Sequence, residues 1–340
     1  MQIEPLLTIA IPTFNRAALL EGLLTVLMPQ LVAHPDIELL ILDNASTDAT
    51  QSVIERYRTP ATRSLRHAEN IGSDANFVTA FREARGRYFW LCGDDDLPVP
   101  NTIDDLMGHL RTSELDLVYL TSYGFREDWR AEQQGDPLGR SFHTITDPRH
   151  LTKVVNMMFT FISGMVVNRT RLLSLPSEGI AVEPPEAFLG TNLTQLSWML
   201  PLLRQHRRSL VLWNRPIAAR QGHNGGYALA KVFGEQFVAL TQRCLPDRPD
   251  LARILANFAI RRWFPSILYD IRSTGSQGFF LDEAGTTLTR VFGSNPRYWL
   301  FTYPVLKLPL PLARLWLRVG ESISKLIYMA TVPGFWRKQS

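Results

Sequence analysis

Four short apolar runs each stop at a polar residue, and this pattern constrains the fold more than any other feature. Leu6–Ile11 (LLTIAI) stops at Pro12, and Ile37–Leu42 (IELLIL) at Asp43. Arg87–Cys92 (RYFWLC) runs into Gly93 and three aspartates, and Leu115–Leu120 (LDLVYL) ends the series. A strand buried on both faces reads as a continuous apolar run, so these are expected to be parallel strands inside a sheet. Between them, Arg16–Leu31, Thr47–Tyr57 and Ser73–Arg85 carry apolar residues at helical spacing, with Ser46 or Asp48 as a plausible cap for the second. Strand and helix in alternation predict an α/β domain with a mostly parallel sheet. In such sheets ligands bind outside the carboxyl ends of the strands. The polar groups fall at those ends: Thr13 and Asn15, then Asp43 and Asn44, then Asp94, Asp95 and Asp96.

Composition narrows the class. Of 340 residues, 45% are hydrophobic and 20% charged, a globular balance. Cys92 and Cys244 are too few for a disulfide scaffold and too far apart for a zinc site, and they fit a reducing compartment. The N-terminus carries Glu4 and lacks a basic lead-in, so no signal peptide is expected. No window of about 18 residues is free of charge, which argues against an ordinary spanning helix. A cytoplasmic protein is therefore expected. From 295 to 340 there are seven Lys and Arg against Glu321 alone, a net +6; the chain carries +4, so the rest is about −2. The basic surplus belongs to the tail, and no nucleic-acid partner is expected. No GxGxxG follows the first strand and no Walker A sequence occurs.

Adjacent carboxylates repel. Mg²⁺ and Mn²⁺ take oxygen ligands, commonly one or two carboxylates with substrate phosphates completing the shell. The triplet reads either as such a site or as a solvated acidic turn before Pro98 and Pro100. Farther on, 127–149 is polar and irregular, 154–169 (VVNMMFTFISGMVVNR) is apolar around Gly164, and Leu193–Leu203 reads as a helix. Leu210–Trp213 reads as a short strand, and 230–270 is helical.

Three segments in order, PTFNR (12–16), DNASTDAT (43–50) and ENIGSDANFVTAFREARGRYFWLCGDDD (69–96), resemble the family 2 glycosyltransferases of the GT-A fold. The resemblance is strong over about 5–125 and weaker over 155–240. It implies that Pro12, Thr13, Asn15 and Arg16 face a nucleoside diphosphate, that Asp43 reads the base, and that Asn70, Gly72 and Asn76 line the nucleotide cleft. Asn76 also reads as a simple helix-terminal cap. The triplet corresponds to the family's DXD region, with Asp94 toward the ribose and Asp96 and Asp94 toward a Mg²⁺ or Mn²⁺ ion, Asp95 remaining an alternative. Family members place an acidic Glu-Asp pair about 90 residues beyond the DXD as the source of the catalytic base. Here Thr191 and Asn192 stand there, and neither can take a proton. Glu186 and then Glu183 are the nearest candidates.

The stretches FLGTNLTQLSWMLPLL, RPIAARQGHNGGY and KVFGEQF resemble the abequosyltransferase-like subgroup, which adds deoxy or dideoxy sugars to a lipid-linked unit. His223 is the candidate third metal ligand, and Arg220 belongs to a loop suited to closing on the diphosphate. Trp198 and Trp213 read as core. In 312–330, Arg314, Arg318, Glu321, Ser322 and Lys325 form one polar stripe on an otherwise apolar helix, a pattern of membrane-interface helices. The resulting expectation is an inverting, metal-dependent sugar transferase in O-antigen or related surface-polysaccharide assembly, peripheral at the inner face of the cytoplasmic membrane. Its partners would be a CDP-, UDP- or dTDP-sugar, a polyprenyl-pyrophosphate-linked acceptor and anionic lipid. The expected segments are 1–125 (nucleotide sugar), 126–240 (acceptor), 241–294 (helical extension) and 295–340 (tail). A sugar-phosphate nucleotidyltransferase lacks its G-x-G-T-R-type loop here; a non-catalytic sugar- or membrane-binding scaffold has only the missing acidic pair in its favour.

Overall fold

The structure is a computed structural model that describes residues 4–175, 182–222, 226–275, 279–281 and 283–331. The chain divides into two compact units. The first comprises Met1–Thr146 with Phe159–Gln221; the second comprises Asp147–Met158 with Gly222–Ser340. These cuts fall at different places from the four segments read in the sequence.

Unit 1 is a nine-stranded sheet. Its strands are β1 (Leu7–Thr13), β2 (Ile37–Asp43), β3 (Thr62–Arg66), β4 (Tyr88–Leu91), β5 (Leu97–Pro98), β6 (Leu117–Phe125), β7 (Phe142–Ile145), β8 (Met165–Asn168) and β9 (Ser209–Arg220). The order is β3-β2-β1-β4-β8-β6-β9-β5, with β7 also on β9. The four runs singled out in the sequence become β1, β2, β4 and β6. Strands β3, β2, β1 and β4 are mutually parallel, as expected. β6 and β9 pair parallel and run the same way as these four; the exceptions are β8, antiparallel between β4 and β6, and β5 and β7, both antiparallel to β9. Six of the nine strands thus share one direction, a mostly parallel sheet with three antiparallel members.

Helices α1 (Ala17–Leu31), α2 (Thr50–Arg56), α3 (Ser73–Glu83), α4 (Thr102–Thr112), α6 (Arg169–Leu173) and α7 (Leu196–Arg204) cover the sheet. Period-two alternation sorts the side chains between two layers. Leu7, Ile9, Ile11, Tyr88 and Trp90 pack with Leu20, Leu24, Leu27 and Leu106 of α1 and α4. Phe89 points the other way, edge-on to Phe81 of α3 and Trp198 of α7, which stack on each other with centroids 5.0 Å apart. Trp198 is a core residue, fully buried. Trp213 is half-buried, with the Arg140 guanidinium 3.6 Å from its ring centroid.

Unit 2 is helical: α5 (Pro148–Val155), α8 (Phe237–Cys244), α9 (Pro249–Phe258), α10 (Phe264–Thr274), α11 (Ala284–Phe292), α12 (Tyr303–Lys307) and α13 (Leu310–Thr331), with one two-residue strand pair, β10 (Tyr227–Ala228) on β11 (Phe279–Phe280). Wider π-helical turns at 230–236, 259–263 and 298–302 lead into α8, α10 and α12. Among the described residues no helix is long and apolar enough to cross a membrane.

Candidate active site

The strand order reverses beside β1: β2 lies on one side of it and β4, from later in the chain, on the other. A crevice forms at such a switch point, outside the carboxyl ends of the strands. Thr13 ends β1 and Asp94 follows β4, and the Thr13 hydroxyl donates to Asp94 Oδ2 at 2.8 Å across that crevice. Arg16, at the entry to α1, donates from Nη1 to Asp94 Oδ1 at 2.9 Å and to Asp95 Oδ2 at 3.3 Å. The PTFNR loop and the acidic triplet, about 80 residues apart, are thus one structure.

Asp94 and Asp96 are buried. Burial raises the Asp94 carboxyl above the usual range while Arg16 pulls it down. Asp96 is pushed up to about 7, first by burial and then by the charge on Asp95. Its Oδ2 accepts from the Ser163 hydroxyl at 2.6 Å, and its Oδ1 from the main-chain N–H of Arg220 at 3.2 Å. Ser163 also accepts from Gly93 N–H at 2.8 Å, so it holds the turn that presents the triplet. A Cβ on Gly93 would stand 3.1 Å from Asp95 Oδ1, 3.2 Å from Asp96 Oδ2 and 3.3 Å from Ser163 Oγ. Three oxygens therefore surround one point that only a glycine leaves open. Among the described residues no three His, Cys, Asp or Glu side chains form a complete metal centre. An all-oxygen set of two carboxylates and a hydroxyl nevertheless fits a hard divalent cation whose shell is finished by phosphate.

The second strand end is tied to the first. Asn15 takes φ 52°, its N–H donates to Ser46 Oγ, and its Oδ1 accepts from Thr47 N–H at 2.7 Å. Asp43 is fully buried. Its Oδ1 accepts from Ser46 N–H at 2.9 Å, Gln51 Nε2 donates to Oδ2, and Arg66 Nε lies 3.5 Å away. Asn44, its neighbour, staples the next loop: Nδ2 donates to Asn70 Oδ1 at 2.8 Å and Oδ1 accepts from Ile71 N–H at 2.9 Å. Asn70 Oδ1 accepts in turn from Gly72 N–H, and Gly72 enters α3 at φ 84°, a conformation suited to glycine. Asn76 is buried beneath these groups, donating to the Leu42 carbonyl at 3.3 Å and paired with His67 Nε2 at 3.0 Å. It supports the end of β2 from below. Pro12 is half-buried at the end of β1.

Glu186 forms an ion pair with Arg82 at 2.6 Å, and Glu183 is half-buried. Thr191 caps its own turn by donating to the Phe188 carbonyl at 2.6 Å. Asn192 stands at φ 57°, and its N–H donates to Asp74 Oδ2 at 3.0 Å. A carboxylate therefore does border the position that lacks an acid, but it comes from the first turn of α3. His223 lies outside the described residues. Ser163 and Asp74 join the candidate site without any sign in the sequence, whereas Asn44 stands at a strand end as expected. Ser163 and Asp74 depend on partners 67 and 118 residues away. Arg220 stays close to the triplet through its main chain, its guanidinium 4.7 Å from the Phe125 ring centroid and its Nε buried without a hydrogen-bond partner among the described residues.

Residues 8–169 match the model of the family described as Glycosyl transferase family 2. Abequosyltransferase RfbV of Salmonella typhimurium is 26% identical over 236 residues, covering 65% of this chain and 68% of that protein. TarS 1-349 of S. aureus, solved in complex with UDP-GlcNAc, superposes at TM-score 0.61 with 17% identity, covering 94% of this chain and 91% of that one. The mannosyltransferase PcManGT of Pyrobaculum calidifontis, solved with GDP-Man and Mn²⁺, gives TM-score 0.50 at 17% identity, covering 93% of this chain and 88% of that one. The α/β architecture matches the GT-A neighbours.

Proposed function

From a glycosyl transferase family 2 domain of GT-A fold over residues 8–169, we propose that the chain moves a deoxy or dideoxy hexose, with inversion, from a nucleoside-diphosphate sugar to a lipid-linked oligosaccharide in surface-polysaccharide assembly. The observation that carries the reading is the Thr13–Arg16–Asp94 junction at the switch point, flanked by Asp43, Asn44 and Asn70. It gathers buried carboxylates, a guanidinium and side-chain amides where α/β sheets bind nucleotides. RfbV, abequosyltransferase by name, supports the sugar class, and the UDP-GlcNAc and GDP-Man complexes of TarS and PcManGT support a nucleotide-sugar donor.

The residues divide the work. Asp43 and the Asn44–Asn70 loop hold the nucleoside. Asp94, already joined to Thr13 and Arg16, orients the loop at the ribose. Asp96 and Asp95 would hold a Mg²⁺ or Mn²⁺ ion, with Asp94 and His223 further candidates; the Mn²⁺ of PcManGT supports this choice. Such an ion offsets the charge of a departing nucleoside diphosphate. Arg16, paired with Asp94 and Asp95, offers charge-assisted hydrogen bonds to the same oxygens, and Arg220, whose main-chain N–H is on Asp96, belongs to the loop suited to closing on them. An acceptor hydroxyl must lose its proton as it attacks the anomeric carbon, which calls for a carboxylate on the acceptor side. Glu186 lies within the Glu183–Asn192 segment, and Asp74 borders it through Asn192 N–H. An acceptor with a lipid anchor is met at a bilayer surface, which places the protein peripherally at the cytoplasmic membrane.

Calorimetry tests the reading. A nucleoside diphosphate is expected to bind at least about tenfold more tightly with Mn²⁺ than with a chelator, and Asp96→Ala should abolish that gain. Affinity indifferent to the metal in the wild-type protein would remove the metal-dependent mechanism. Release of nucleoside diphosphate from a panel of nucleotide sugars identifies the donor.

A further inference from the structure

Helix α13 carries three different faces. At about 100° per residue, Ala313, Leu317, Gly320 and Ser324 share one arc of about 60°. This arc is the packed side: Ala313 is 0% and Ser324 2% exposed, and a Cβ on Gly320 would lie 3.3 Å from the Phe301 ring. Arg314, Arg318, Glu321 and Ser322 make a second, solvated face. Leu312, Leu315, Trp316, Val319, Ile323 and Leu326 make the third, about 120° round from the first. All six are exposed, Leu315 at 60% and Leu326 at 63%. A helix serving only its own domain turns its large apolar residues inward; this one packs with small residues and shows the large ones. The Trp316 indole N–H donates to the Leu300 carbonyl at 2.7 Å, which brings the exposed Trp299 and Leu300 to the same helix.

We propose that this third face inserts into the interface of a bilayer containing anionic lipid, with the Arg314–Arg318 row at the depth of the headgroups. Charge decides the occupant. The tail from 295 onward is net +6, and Glu321 is the sole acid of α13, so the surface complements lipid phosphate. A second copy of the chain would instead bring two basic rows to one seam. Interfacial helices lie in the membrane plane with one side in the acyl boundary; the packed stripe of α13 supplies the attachment to the protein that such a helix needs. The sugar-transfer reading gives this surface its purpose, a meeting point with a lipid-linked acceptor, but binding to lipid needs neither donor nor metal.

The test is co-sedimentation of the full chain with phosphatidylglycerol–phosphatidylcholine vesicles, against pure phosphatidylcholine, without nucleotide. The wild-type protein should pellet with the anionic vesicles. Leu315→Glu with Val319→Glu should weaken binding at least about tenfold, and Arg314→Gln or Arg318→Gln about fivefold each at low salt. These side chains are exposed, so the circular dichroism melt and the release of diphosphate from a nucleotide sugar should not change. Retained release with lost sedimentation separates this claim from the transfer reading; lost release with retained sedimentation overturns only the latter. Wild-type protein that ignores anionic vesicles, or a dimer that Leu315→Glu with Val319→Glu converts to monomer, overturns the proposal.

Discussion

At the scale of single residues, the site holds charge that the protein alone does not want. Asp96 has a pKa of about 7, against an unfolded value near 3.9. The folded state keeps its proton up to about pH 7 while the unfolded chain releases it near pH 4. The unfolded state therefore binds fewer protons across that window, and this group's contribution to stability falls as pH rises from about 4 to 7. With a chelator present, Asp96→Asn should be no more stable than the wild type at pH 4 and more stable at pH 8. The limit is roughly 4 kcal/mol, at about 1.4 kcal/mol per pH unit. Urea titrations at the two pH values check this, and equal differences at both would exclude it. The acid missing at Thr191–Asn192 poses a second residue-scale question. Glu186 is tied to Arg82, whereas Asp74 spends Oδ2 on Asn192 N–H. A general base contributes about 10²–10⁴-fold. Whichever of Glu186→Gln and Asp74→Asn removes the base should therefore lower kcat by that factor with little change in donor affinity. Full activity in both variants would place the base elsewhere.

At the scale of elements, the sheet shows what a sequence can and cannot announce. β1, β2 and β4 are legible because they are buried on both faces and so are apolar almost throughout, Thr8 and Glu38 being buried as a hydrogen-bonded pair. β3, TRSLR, is not, because it is an edge strand of half-buried polar residues with one neighbour. β8 is only MVVN inside a longer apolar stretch, and length gave no means to separate it from helix. β9 continues beyond Trp213 through an irregularity in its pairing with β6, where Pro216 and Arg215 at φ 53° read as loop. The strand-end residues proposed for the nucleotide stand in the sequence as ordered motifs; their supports, Ser163 and Asp74, do not, since nothing local marks a serine whose partner is 67 residues away. One such hidden support joins three elements. Arg171 on α6 pairs with Asp116 before β6, both buried, and Arg171 Nη2 donates to the Gln205 carbonyl after α7. Asp116 also accepts from Arg207 and Arg208 N–H. Asp116→Ala strands a buried guanidinium and should cost about 3–5 kcal/mol. Arg171→Met leaves Asp116 its two N–H donors and should cost less. Chemical denaturation of both variants decides the order; equal losses would mean the two N–H donors do not sustain the carboxylate.

At the scale of the whole molecule, each unit carries one of the two proposed ligand surfaces. The nucleotide residues, from Thr13 to Asp96 with Ser163 and Arg220, all lie in unit 1. The exposed apolar face of α13 and the Trp299–Leu300 pair lie in unit 2. If the two surfaces have the proposed occupants, each occupant should slow amide exchange in its own unit. A nucleoside diphosphate with Mn²⁺ should protect 13–16, 43–47, 70–76 and 93–97, because their main-chain groups form the loops at the strand ends. Anionic vesicles should protect 299–326, the segment whose apolar side chains would leave water. Hydrogen-exchange mass spectrometry of the full chain with each addition in turn reads both at once. Asp96→Ala should erase the first pattern and spare the second, and Leu315→Glu with Val319→Glu should do the reverse. That double dissociation is the strong form of the prediction, because a general change in stability would move exchange in both regions together. Vesicles that slow exchange at 70–97 but not at 299–326 would refute the assignment of the lipid surface to α13, and a nucleotide that protects no strand-end loop would refute the assignment of the crevice.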